Sequence, residues 1–130
     1  MKGYTDLEQS KKLAEILPLE SADMWYSYYG NSKYNPTIAY KGEQWFLCQT
    51  KNSSHSDIPA WSLSALLDLM PKIHGERPIL DTGRIQTEKY YVEYPYHEST
   101  KNDWYSTKLC DSAVDACYEM ILKLNELNLL

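Results

Sequence analysis

The sequence predicts one α+β domain spanning residues 1–130. It should hold a small antiparallel sheet of about three to five strands with about three helices laid against it, ending in a β-hairpin followed by a C-terminal helix. Three observations predict this. Apolar residues recur at helical spacing in three separate places, near residues 7–17, 63–70 and 113–127. Short runs rich in Tyr, Trp and Val lie between them, bounded by Gly, Pro, Asn and Ser. No repeat, linker or break in composition divides the chain, and 130 residues is an ordinary length for one domain with its own core.

The elements follow in order. Thr5-Asp6-Leu7-Glu8 has the form of a capping box, in which Thr5 accepts from the N3 amide and Glu8 reaches back to the cap. The helix it opens turns Leu7, Leu13, Ala14 and Leu17 to one side. Pro18 ends it, because the residue before a proline is pushed out of the helical region. Ser21 is expected to cap a single turn through Asp23 and Met24, and Trp25, Tyr26, Tyr28 and Tyr29 to begin a strand or an aromatic loop. Gly30-Asn31 and Asn35-Pro36 are turn signals. TIAY (37–40) and QWFLCQ (44–49) read as short strands joined in a hairpin at Lys41-Gly42, and KNSSHSD (51–57) reads as a loop.

Ser62 is a natural cap for a helix bearing Leu63, Leu66, Leu67 and Met70, which Pro71 stops. Ile58, Pro59 and Trp61 should pack over its entrance. Residues 74–88 read as a connection holding a short strand at Ile79-Leu80. In KYYVEYPY (89–96) one parity carries Tyr90, Val92, Tyr94 and Tyr96, and the other carries Lys89, Tyr91, Glu93 and Pro95. The first set is the expected buried face. Pro95 donates no ladder bond, so the strand lies at an edge or ends there. ESTKND (98–103) turns the chain, and residues 104–110 return. Asp111 or Ser112 caps the last helix, Asp115 sits favourably in its first turn, and Ala113, Ala116, Cys117, Met120, Ile121, Leu124 and Leu127 trace its apolar stripe.

Composition excludes several classes. Thirteen basic against 18 acidic side chains give a net charge of -5, the wrong sign for a protein that neutralises many phosphates, so no nucleic-acid partner is expected. The mean hydropathy of -0.57 understates apolar content, because 12 Tyr score as polar yet bury most of their rings. MKGYTDLEQS lacks an apolar signal region and no apolar run approaches about 18 residues, so neither secretion nor a membrane partner is expected. Three cysteines, Cys48, Cys110 and Cys117, form no disulfide framework and fit a reduced, cytoplasmic setting.

Catalytic signals are thin. Ile79-Leu80-Asp81-Thr82-Gly83 has the pattern of an aspartic-protease loop, in which two copies bring two carboxylates together to share a proton. Here Arg84 follows the glycine and no glycine-rich flap is present, so the string reads as turn chemistry. His55, His74 and His97 are scattered, with no metal spacing to one another or to a cysteine. Cys110 lies at a helix N-terminus, where the dipole would lower a thiol pKa and mark a nucleophile. No histidine is fixed beside it, and Asp111/Asp115 and Glu119/Glu126 are explained by helix position and solvation. Five single glycines form no phosphate loop. The chain is expected to be no enzyme, with no catalytic, metal or cofactor site; a hydrolase using Asp81 or Cys110 is the reading from the opposite class.

What remains is the aromatic content. Tyr and Trp pair a large apolar body with a polar tip and are enriched among interface hot spots. Both faces of the strand at 89–96 carry rings, and one helix covers only one face. Most rings should be covered within the chain, Trp25, Tyr26, Tyr28 and Tyr29 supplying a second layer. A residual patch is expected to meet a protein partner or a second copy in a homodimer, with Tyr91, Tyr96, Trp104, Tyr105, Trp25 and Tyr28 as the candidate binding residues.

TDLEQSKKLAEILPLESADM, IPAWSLSALLDLMP and DSAVDACYEMILKLNEL resemble a family of small proteins encoded in prophages and mobile elements of gut Bacteroidetes, over nearly the whole chain. The resemblance implies a cytoplasmic, phage-associated accessory protein and brings no catalytic or binding residues. Residues 89–127, a strand, turn and strand before a helix opening D-S-A-V-D-A, are similar to the second half of HicB-type antitoxins. That implies a hairpin laid against a helix, and an antitoxin-like or nuclease-inhibiting role for an acidic protein.

Overall fold

Asp6 opens the first helix, one residue later than the expected cap. The computed structural model describes residues 2–28, 45–48, 57–83, 85, 88–95 and 106–130. These form an α+β fold of three α-helices and two antiparallel sheets, one of three strands and one of two. The chain divides into two compact units, Asp6–Ser62 and Met1–Thr5 with Leu63–Leu130.

In the first unit, α1 (Leu7–Ala14) is closed by a box in which the Asp6 carboxylate accepts from the Gln9 N–H at 2.8 Å and the Gln9 amide oxygen accepts from the Asp6 N–H at 3.1 Å. Thr5 and Glu8 offered the same spacing one residue earlier, but Thr5 is fully buried. Asp caps as well as Thr, and its charge also meets the positive end of the helix dipole. Leu7, Leu13 and Leu17 are buried as expected. The short turn lies earlier than predicted, as a 3₁₀ turn at Leu19–Ser21, because Ser21 closes it and donates its hydroxyl to the Pro18 carbonyl rather than capping a following turn.

Strand β1 (Met24–Tyr28) is central, with β2 (Trp45–Cys48) and β3 (Ile58–Ala60) antiparallel on either side. Ile58 and Pro59 therefore belong to a strand. Pro59 is tolerated because β3 is an edge strand. Tyr26 stands opposite both Leu47 and Ile58, and with Leu7 and Ala60 it forms a buried cluster joined by Met24, Trp45, Leu47 and Ile58. Trp61 is wholly buried and donates its indole N–H to Ser21 Oγ at 3.0 Å. The Asp23 carboxylate accepts both the Ser62 N–H, at 2.8 Å, and the Ser62 hydroxyl. The expected hairpin at 37–44 and the loop at 51–56 lie outside the described residues.

In the second unit, α2 (Leu63–Leu69) buries Leu66, and Met70 beyond its end is buried too. A two-residue turn follows: Ile73 and Glu76 exchange N–H···O bonds of 2.9 and 3.0 Å around His74 and Gly75, both left-handed, with φ of 52° and 77°. Strands β4 (Ile79–Thr82) and β5 (Tyr90–Glu93) pair antiparallel, so the strand expected at Ile79-Leu80 runs two residues further. Asp81 and Thr82 thus belong to a strand, not to a turn. Residues 106–110 return along the other side of β5, bridging Tyr90 to Cys110 and Glu93 to Ser106. The expected turn at 98–103 lies outside the described residues.

Helix α3 (Ala113–Glu126) is capped by Ser112, whose hydroxyl accepts from the Asp115 N–H at 3.0 Å. It buries Val114, Ala116, Cys117, Met120, Ile121 and Leu124 against β5 and α2. Val114, three residues before Cys117, takes the inward position expected of Ala113. Leu127 is 44 % exposed because it stands past the last helical residue. There Asn128, at φ 57°, turns the chain, and the Leu129 N–H reaches back to the Leu124 carbonyl at 2.9 Å.

Candidate functional site

The β4–β5 sheet has two unlike faces. In the register, Leu80 stands opposite Val92 and Asp81 opposite Tyr91, so alternation sends Val92 to one side and Tyr91 to the other. Val92 is fully buried and Tyr94, on the same parity, is 1 % exposed, which agrees with the face expected to be covered. The Tyr94 hydroxyl donates to the Pro71 carbonyl at 2.8 Å, satisfying the polar tip inside the core. Burial pushes the Tyr94 phenol up to about 12, only partly countered by the Arg77 charge.

The opposite face carries Ile79 beside Glu93 and Asp81 beside Tyr91. Ile79 is 44 % exposed, Asp81 is exposed, and Tyr91 and Glu93 are half-buried. Leu109, one residue before the inward-facing Cys110, is 45 % exposed and joins this face by alternation. The cations nearest in sequence are already engaged: Lys89 with Asp111, and Lys108 with Glu119 at 3.8 Å. The Glu93 side chain makes neither hydrogen bond nor ion pair among the described residues, and the Asp81 carboxylate accepts only the Thr82 N–H, at 2.8 Å.

The backbone has a direction too. Gly83 donates to the Lys89 carbonyl at 2.9 Å, while Tyr90 and Cys110 exchange bonds of 2.8 and 2.7 Å. Tyr90 and Val92 therefore turn their N–H and C=O groups away from β4. By the alternation of an antiparallel ladder, their partners Thr82 and Leu80 turn theirs away from β5. Among the described residues no strand pairs with that outer edge of β4.

Of the candidate binding residues, Tyr91 lies on this outer face. Trp25 is half-buried in β1 of the other unit's sheet, and the backbone of Tyr28 ends the same strand. Tyr96, Trp104 and Tyr105 lie outside the described residues. Tyr26, expected in a layer over the later hairpin, fills the core of its own sheet.

Each of the three thiols is raised above its ordinary pKa by its surroundings. Cys110 is buried, and burial, with the Glu119 and Asp115 charges, pushes its thiol up, against the downward pull expected of a helix N-terminus. Cys117 is pushed by burial up to about 12. Three residues that sequence reasoning did not connect form a chain across the first sheet. Ser27 donates to the Asp57 carboxylate at 3.0 Å and also bonds Cys48, while the other Asp57 oxygen is buried without a hydrogen-bond partner. Burial raises the Cys48 thiol, Ser27 pulls it down, and the Asp57 charge raises it again, so it stays protonated at neutral pH. Ser27 and Cys48 belong to β1 and β2 and Asp57 stands just before β3, so they meet only through the register, which no local motif signals.

His74 is exposed at its turn, and His55 and His97 lie outside the described residues. Among the described residues there is no group of three or more His, Cys, Asp and Glu side chains able to hold a metal, and no helix is long and apolar enough to cross a membrane. In comparisons with protein-family models, curated proteins and solved structures, nothing matches this chain.

Proposed function

We propose that the chain is a non-enzymatic protein-interaction module of the cytoplasm, of the accessory kind encoded by phages and mobile elements. Its contact surface is the outer face of the β4–β5 sheet. One observation carries the reading: Tyr91, Ile79 and Leu109 gather on the face turned away from Val92, and two of the three leave nearly half their surface in solvent. An aromatic ring flanked by aliphatic side chains and rimmed by carboxylates has the make-up of a small interface centre.

A second reading, an antitoxin-like or nuclease-inhibiting protein, is favoured by Asp81 and Glu93 on the same face of a chain with net charge -5. Affinity capture of partners at low and high salt, with wild type and Leu109→Lys side by side, tests both. A partner lost on Leu109→Lys but kept at high salt supports the interaction module. One whose association collapses in salt supports the inhibitor. Identical recovery on both proteins at both salts contradicts each.

A further inference from the structure

Resting on that reading, we propose that the partner is an extended, basic segment that adds as a strand to the outer edge of β4, and that Asp81 selects it. Leu80 and Thr82 turn their backbone groups to this edge, which is the requirement for strand addition. One of those donors is already covered: the Asp81 carboxylate accepts the outward Thr82 N–H at 2.8 Å. An arriving strand must take that N–H for its own carbonyl, so Asp81 has to let go. A Lys or Arg on the strand, lying over the outer face, gives Asp81 a charged partner in exchange, and Glu93 offers a second carboxylate on the same face.

The same geometry argues against a second copy of this chain as the occupant. Antiparallel pairing of two β4 edges through Leu80 and Thr82 sets Asp81 directly opposite Asp81, with like charges about 5 Å apart. A carboxylate in the middle of an open strand is a known guard against edge-to-edge association. The preferred segment therefore alternates basic and apolar residues, the basic ones facing Asp81 and Glu93.

The test is an amide-shift titration of the full chain with a short peptide of alternating Lys and Val, beside its Glu and Val counterpart. The Leu80 and Thr82 amides should move and gain exchange protection with the basic peptide, which should bind about fivefold tighter than the acidic one at low salt. Asp81→Asn keeps an acceptor for the Thr82 N–H but not the charge, and should shrink that preference to within about twofold. The inference is overturned if the Leu80 and Thr82 amides do not respond to the basic peptide. In that case, shifts confined to Tyr91 and Leu109 would leave the outer-face reading standing without the edge, and no shifts at all would remove both. Self-association through β4 in the absence of peptide also overturns it.

Discussion

Val92 and Thr107 exchange two hydrogen bonds across β5, one of them through a side chain: the Thr107 N–H donates to the Val92 carbonyl at 2.9 Å, and Thr107 Oγ1 accepts the Val92 N–H at 3.0 Å. The reason lies in the register. Two residues separate Tyr90 from Glu93, but three separate Ser106 from Cys110, so the returning segment carries one extra residue. The hydroxyl stands in for a carbonyl that the extra residue displaces. Thr107→Val keeps the shape and removes the acceptor, leaving the N–H of a fully buried residue unpaired. The expected loss is about 1–3 kcal/mol in urea unfolding, with Thr107→Ser close to wild type. Equal stability of Thr107→Val and wild type would mean that another group serves Val92.

Tyr94 carries a similar obligation. Its hydroxyl is the donor to Pro71 inside the core, and Tyr94→Phe leaves that carbonyl short of a partner at almost unchanged volume. A loss of about 1 kcal/mol is expected, read as a lower urea midpoint at unchanged slope.

Alkali should unfold the protein. The folded values of Tyr94 and Cys117 stand at about 12, above the ordinary 10.0 and 9.0. Between those values the unfolded chain releases protons that the folded chain keeps, so stability is full below pH 9 and falls as pH rises towards 12. Each group contributes a slope of about 1.4 kcal/mol per pH unit within its own window. Thermal melts at stepped pH should drop steeply there, and less steeply in Cys117→Ala once its lower starting stability is allowed for.

His74 sits at φ 52°, in a conformation that suits Asn or Gly better than His. His74→Asn should raise stability by a few tenths to about 1 kcal/mol, since the side chain is exposed and the backbone cost falls. A melting temperature at or below that of wild type would show that His74 makes a compensating contact.

Legibility in the sequence followed the range of the interactions. The α3 stripe was readable because Cys117, Met120, Ile121 and Leu124 repeat at 3.6 residues, and the parity of Val92 and Tyr94 was readable because a strand alternates. The α1 cap was ambiguous by one residue because Thr5/Glu8 and Asp6/Gln9 overlap at identical spacing. The pairing of β4 with β5, and the Cys48–Ser27–Asp57 chain, rest on register between distant segments, which composition does not encode. Cys110 set two principles against each other, a helix end that lowers a thiol and burial that raises it, and only packing decided between them. Tyr91 was legible as the odd ring on its strand, but its neighbours Ile79 and Leu109 were not.

The central claim is that Tyr91 serves contact with another molecule rather than the core. The most direct measurement is partner retention on Tyr91→Ala beside wild type, at matched folded fraction by circular dichroism. The account predicts a folded variant whose bound partner falls at least about tenfold, as for an interface hot spot. Undiminished retention on a folded Tyr91→Ala would contradict it.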